Sequence, residues 1–261
     1  MVPDKYLYEN RFYQEKSSSL SKQQLWHKKD LIFGLLGMFI GFTLIFSLLV
    51  PISMNVDMAN WTLDIVTFTL TIFWQLSFIF LVIVLAKRRN LNFSQIGFRK
   101  PEEWKMVISL VLACYGILIL YGLLIELISF AGIDPGIFKG TNQIMIAETG
   151  SSMQTILYIA ILAIAVIVVA PIAEEVFFRG LIYRAIGGMY SPLWGMIISG
   201  FLFGLFHFNL GVLVPFSLIG MLLAWGFQST GSLFVPITVH FVINSISFAV
   251  TVIGGIFEFS I

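Results

Sequence analysis

Long apolar runs separated by short polar stretches organise this chain from about residue 31 onwards. Seven runs can be drawn, at about 31–53, 65–86, 105–130, 155–187, 192–208, 215–229 and 234–254. None alternates with the period of two that a barrel strand would show, and an open apolar run in lipid can satisfy its backbone only as a helix. Several runs approach the ~20 residues that a spanning helix needs, the fourth exceeds it, and the sixth, at roughly 15, falls short. The expected fold class is all-α, a polytopic membrane helical bundle of about seven transmembrane helices over residues 31–261. Residues 1–30 are polar and charged, and are expected to form a cytoplasmic N-terminal arm. No cleavable signal peptide is evident there, and the first apolar run is expected to act as an uncleaved anchor.

Charge adds an orientation. The arm carries six Lys/Arg, the 87–105 linker "KRRNLNFSQIGFRKPEEWK" another six, and Arg179 and Arg184 lie near the end of the fourth run. The 54–64 loop has none and the Gly-rich 131–154 loop has only Lys139. The positive-inside rule then places the arm, the linker and the end of the fourth run in the cytoplasm. Composition agrees with a membrane protein: 58% of residues are hydrophobic and 11% charged. A net charge of +1 offers no field for nucleic acid. The single cysteine, Cys114, falls in an apolar run, which leaves no disulfide framework or thiol cluster and reads as a small core residue.

Against this background "PIAEEVFFRG", Pro171 to Gly180, stands out, because it ends the apolar run "ILYIAILAIAVIVVA" with two carboxylates and an arginine. Ionisable groups at membrane depth are costly and are usually functional. Glu174 and Glu175 lie ~100° apart around a helix, so they cannot share a face. Glu175 and Arg179 are spaced i, i+4 with the acid first, the favourable order for an ion pair, which frees Glu174 for a different partner. Phe203 and His207 share a face of the fifth run, and His240 and Asn244 a face of the seventh. Counting 1.5 Å per residue puts Glu174 ~18–20 Å and His207 ~22 Å from the cytoplasmic ends of their helices. His240 is near its helix start, and a short sixth helix of ~22 Å would lift it to a matching depth. By contrast, His27 is expected to be solvated, and Glu126 in the third run to be structural or interfacial.

Polar residues in membrane helices often only hold helices together, at ~0.6 kcal/mol on average. The joint pattern of Glu, His, His and Asn at matched depth suits hydrolysis instead. A carboxylate and an imidazole can deprotonate a water, and a His/Asn pair can donate to a developing oxyanion. Alternatively, Glu174, His207 and His240 could bind one zinc ion with an open position. The residues themselves leave both open. There is no His-Glu-x-x-His pair, no Gly-x-Ser-x-Gly context at Ser199, and no aspartate pair within the runs.

The ordered motifs Glu174-Glu175-x-x-x-Arg179, Phe203-x-x-x-His207 and His240-x-x-x-Asn244, over residues 155–250, resemble the CPBP family of CAAX proteases and bacteriocin-processing enzymes. The resemblance implies a membrane-embedded endopeptidase in which Glu174 and His207 activate water and His240 and Asn244 stabilise the oxyanion. Glu175, Arg179 and Phe203 would support the site. The family has carried a metalloprotease label, but the resemblance implies the metal-free, glutamate-dependent reading, with no cofactor. The implied partners are the lipid bilayer and a peptide or protein substrate, which in eukaryotic members is prenylated. A bacterial or archaeal plasma membrane fits the compact chain. A non-catalytic scaffold binding a peptide or sensor kinase is the alternative from another class. A transporter is disfavoured because no inverted repeat is visible.

Overall fold

The computed structural model describes residues 24–55, 60–101, 104–138 and 152–258. All seven expected helices are present, and no strand occurs among the described residues. They are α1 (Lys28–Asn55), α2 (Asn60–Arg88), α4 (Lys105–Phe130), a continuous helical run over 152–189, α8 (Pro192–Phe206), α9 (Leu210–Thr230) and α10 (Phe234–Glu258), with a one-turn α3 (Phe93–Ile96) in the linker. Six are long and apolar enough to cross a membrane; α8 is apolar but shorter. Exposed leucines, isoleucines and phenylalanines cover the outer faces of α1, α2 and α4, as a lipid-facing surface requires.

The 152–189 run is not uniform. α5 (Ser152–Ala163) passes into a π-helical segment, Ile164–Val169; α6 (Ala170–Glu175) follows, then a second π segment, Val176–Tyr183, and α7 (Arg184–Met189). Both glutamates of the expected site therefore sit on one short α-helical stretch between two wide turns. Such π turns recur at functional positions, because the altered ladder re-aims side chains and leaves carbonyls open to outside donors.

Two expectations are corrected. The sixth helix is not short: it begins at Leu210 rather than 215, where Asn209 caps it by accepting from the Gly211 N–H at 2.8 Å. Pro215 lies inside the helix, where it was read as the start. Proline is tolerated in membrane helices because neighbouring groups re-satisfy the freed backbone. The short helix is α8, ~22 Å for its 15 residues against a ~30 Å hydrocarbon core. A short sixth helix therefore does not lift the 230–234 turn, and the helix that ends early is α8, at His207.

The second correction concerns the arm. Residues 1–23 lie outside the described residues, but Leu25 and Trp26 are buried in the bundle and α1 already starts at Lys28. The Trp26 indole N–H donates to the Gly180 carbonyl at 2.7 Å, across 154 positions of sequence. That carbonyl belongs to the second π segment. Asp30, also buried, accepts from the His27 N–H and pairs with Arg89 at 2.9 Å, which ties the start of α1 to the end of α2. His27 is exposed, as expected.

The linker sets the start of α10. Asn92 and Gln95 form a reciprocal capping box around α3. Gly97, at φ +121°, lies against Phe227 and Leu233, and its carbonyl accepts from the Leu233 N–H at 2.8 Å. Arg99 donates to the Gly231 carbonyl at 2.7 Å, while the Ser232 hydroxyl donates to the Arg99 carbonyl at 2.5 Å. The turn before α10, and hence the height of His240, is held by the linker.

Phenylalanines fill the centre: Phe78 stacks on Phe177 at 4.8 Å, and Phe178 meets Phe203 and Phe206 at 5.4 and 5.5 Å. α8 and α9 approach along glycines. A Cβ on Gly220 would lie 2.8 Å from the Gly200 Cα and 2.9 Å from its carbonyl oxygen. Close small-residue contact of this kind is the main way that membrane helices pack without a hydrophobic driving force. Cys114 is buried, in line with the sequence reading, and Glu126 is exposed.

Candidate active site

Glu174 and Glu175 are buried, 4% and 0% exposed, and the structure separates their roles as the helical angle requires. Glu175 Oε1 accepts from Arg179 Nη1 at 3.0 Å, the expected i, i+4 pair. It is also 3.0 Å from His240 Nδ1. Arg179, itself fully buried, spends its second terminal nitrogen on the Gly220 carbonyl at 2.8 Å and lies over the Phe203 ring at 4.7 Å. An ion pair with no solvent contact is costly unless its remaining hydrogens are placed; here a backbone carbonyl takes one and an aromatic face lies against the guanidinium, while Arg179 Nε and Glu175 Oε2 have no partner among the described residues.

Phe203 is the hub of this arrangement. Its ring contacts His207 at 5.0 Å and His240 at 5.6 Å, besides the Arg179 guanidinium. His207 caps α8, with Nδ1 2.8 Å from the Phe203 carbonyl and its ring edge-on to Phe216 at 4.5 Å. Directly after it, Phe208 takes φ +50°, a left-handed conformation that a bulky residue adopts only under constraint. Its ring is held against Phe42 at 3.8 Å. The helix thus breaks sharply at His207 and leaves the imidazole at its end.

Both histidines face an acceptor through Nδ1, a carbonyl in one case and a carboxylate in the other. Each Nδ1 therefore carries the hydrogen, and Nε2 is the nitrogen left for chemistry. Asn244 Nδ2 donates to the Val166 carbonyl at 2.8 Å, in the first π segment, and its amide retains a second hydrogen. Each π segment thus supplies one carbonyl to a side chain from elsewhere in the fold, Val166 to Asn244 and Gly180 to Trp26.

Glu174 has a partner absent from the sequence reading. Gln75 of α2, buried at 6% exposure, donates through Nε2 to Glu174 Oε1 at 3.2 Å. Glu174 Oε2 has no partner among the described residues. His240 bonds to Glu175, and no hydrogen bond joins Glu174 to His207. The signal that could have found Gln75 is an amide in the apolar run "TIFWQLSFIF", because a strongly polar group at that depth needs a partner.

The zinc alternative asks for three ligands in one cluster. Among the described residues no three His, Cys, Asp or Glu side chains group as an ion would need. Glu174, His207 and His240 are each held in a different direction, by Gln75, the Phe203 carbonyl and Glu175. This donor set does not fit a zinc centre, and no step is routed through one.

Residues 156–246 match the family model described as Type II CAAX prenyl endopeptidase Rce1-like. The "Putative membrane peptidase YdiL" of Bacillus subtilis (strain 168) is 28% identical over 98 residues, which cover 38% of this chain and 40% of that protein. The chain thus aligns with about two fifths of the length of this curated relative. No solved structure matches. The matched stretch contains Glu174, Glu175, Arg179, Phe203, His207, His240 and Asn244. This stretch is similar to the CAAX-protease family that the three motifs resemble.

Proposed function

We propose that this protein is an intramembrane endopeptidase that hydrolyses a peptide bond of a membrane-associated peptide or protein with a glutamate-activated water. One observation carries the reading: a buried carboxylate with one oxygen held by an amide and the other unpartnered, beside two imidazoles that both present Nε2.

The chemistry follows from these atoms. Glu174 Oε2 accepts a proton from a water, whose oxygen attacks the scissile carbonyl carbon. His207 Nε2, fixed by its Nδ1 bond to the Phe203 carbonyl, orients that water. The carbonyl oxygen becomes an oxyanion, met by His240 Nε2 and the free amide hydrogen of Asn244. Glu175 holds His240 Nδ1 and so fixes the ring; the doubly protonated imidazole is the form with a hydrogen on Nε2 for the oxyanion. Arg179 holds Glu175 in place. Collapse of the tetrahedral intermediate breaks the C–N bond, and Glu174 returns its proton to the leaving amine. Water is the sole co-reactant, and no cofactor enters. The substrate is an extended segment that reaches the bundle from the membrane, with a lipid-modified chain as the favoured class. The lysine and arginine distribution supports a cytoplasmic N-terminus and linker.

The test compares purified wild type with Glu174→Gln on a peptide library in detergent, with and without chelator, read by mass spectrometry. The amide keeps volume and hydrogen bonding but cannot take a proton. Cleavage is expected to fall by roughly 10²–10⁴-fold and to be indifferent to chelator. Equal cleavage by both proteins would remove Glu174 from the mechanism, and loss on chelation would return a metal to it. A scaffold would tolerate the variant.

A further inference from the structure

We infer that Gln75 is a positioning residue for the reaction: its amide fixes one oxygen of Glu174 and thereby aims the other at the reacting water. The inference rests on the peptidase reading for its consequence in catalysis, but its geometry stands alone. Gln75 Nε2 lies 3.2 Å from Glu174 Oε1, and the contact joins residues 99 positions apart. A carboxylate can only accept, so the amide must present its nitrogen.

The position of Gln75 is over-determined by its neighbours. Trp74 packs against Phe206 at 5.1 Å and Phe78 at 5.2 Å, and Phe78 stacks on Phe177 at 4.8 Å. These rings lock the rotation of α2 on both sides of the glutamine. A Cβ on Gly41 would lie 2.7 Å from the Trp74 indole, so α1 closes the same turn from outside. A donor held this rigidly restricts the carboxylate without adding charge or a competing proton. A lysine or arginine there would bind Glu174 as a salt bridge and weaken it as a base. The amide's own Oε1 is buried without a partner among the described residues.

The charged groups around Glu174 are Glu175, Arg179 and His240, and Gln75 contacts none of them by a hydrogen bond. Substitution of Gln75 should therefore act on Glu174 and leave the Glu175 pair intact. The experiment uses the full chain in detergent as wild type, Gln75→Leu and Gln75→Glu. Two readouts are taken: turnover of a fluorogenic quenched peptide chosen from those the wild type cleaves, and the pH dependence of Glu174 and Glu175 labelling by dicyclohexylcarbodiimide, followed by mass spectrometry. Gln75→Leu should lower kcat about 10²-fold with KM nearly unchanged, because a misaimed base costs the chemical step rather than binding. Losing the donor frees the Glu174 oxygen that it holds. Glu174 labelling should therefore change in both variants, while Glu175 labelling stays as in wild type.

Unchanged Glu174 labelling in both variants, or equal shifts at both glutamates, would overturn the inference. If the wild type cleaves no peptide yet Glu174 labelling shifts selectively, the positioning holds and the peptidase reading fails. Gln75→Glu keeps length and polarity, so a folding defect in the leucine variant does not remove the test.

Discussion

Helices α4 and α9 are both long and apolar enough to cross a membrane, yet they do opposite things in the fold. Only 11% of the most apolar stretch of α4 is buried inside the protein, against 56% for α9. α4 presents Ile108, Leu112, Leu120, Leu123 and Leu127 outwards. α9 turns Gly211, Ser217, Gly220, Ala224 and Gly226 inwards. Hydropathy therefore locates a helix in the bilayer, while small residues decide whether it meets lipid or protein. The site follows the same division. Every residue proposed to act lies on the inner helices or reaches them, and the carbonyl that takes the Arg179 side chain is that of Gly220 on α9.

The largest effect expected from breaking this inner assembly is at Arg179. Arg179→Met removes the guanidinium that binds Glu175 and the Gly220 carbonyl, and leaves a carboxylate with no solvent contact facing one imidazole. Removing one partner of a buried pair typically costs about 3–5 kcal/mol. Thermal unfolding in detergent should show a Tm drop far larger than for any lipid-facing substitution, and peptide cleavage should fall with it. Replacing both Arg179 and Glu175 by apolar residues should restore part of the stability but none of the activity, because His240 then loses the carboxylate that orients it. Recovery of activity in the double variant would show that the pair only packs the bundle.

The helices and the motif residues were legible because apolar runs and i, i+4 spacing are local properties. Glu175 with Arg179 and Phe203 with His207 are each set by a single helix. Gln75 was legible only as an amide in an apolar run, since nothing within one turn of it names its partner 99 positions away. Trp26 was hidden by its polar surroundings, and its burial depends on a carbonyl of the second π segment. The π segments themselves leave no trace in hydropathy, although they place Glu174 and Glu175 between them. α9 starts five residues before the 215 expected from the apolar run, because Asn209 is the residue that caps the helix.

A smaller effect is expected where α8 and α9 touch. Gly220→Ala adds a methyl 2.8 Å from the Gly200 Cα and 3.1 Å from the Phe203 Cβ, both on a helix that cannot yield without moving Phe203. Overpacking of this kind costs about 1–3 kcal/mol. Phe203 touches His207, His240 and Arg179, so a displacement should also reduce kcat, measurable on the same fluorogenic peptide. Full stability and turnover in Gly220→Ala would mean that the α8–α9 seam is softer than its spacing implies.

The smallest effect sharpens the comparison from the other side. Leu120 on α4 is 68% exposed, and its surroundings are lipid tails as apolar as itself. Leu120→Ala removes more side-chain volume than Gly220→Ala adds, so a rule based on apolar bulk would rank it as the more damaging change. In lipid the leucine gains little by being in the folded bundle rather than on an isolated helix, because both states leave it against hydrocarbon. Its substitution should change stability by less than about 0.5 kcal/mol and leave turnover within error. A larger loss, read by the same unfolding and cleavage measurements, would show that this face of α4 is covered by protein, and would make α4 an interface rather than a lipid-facing wall.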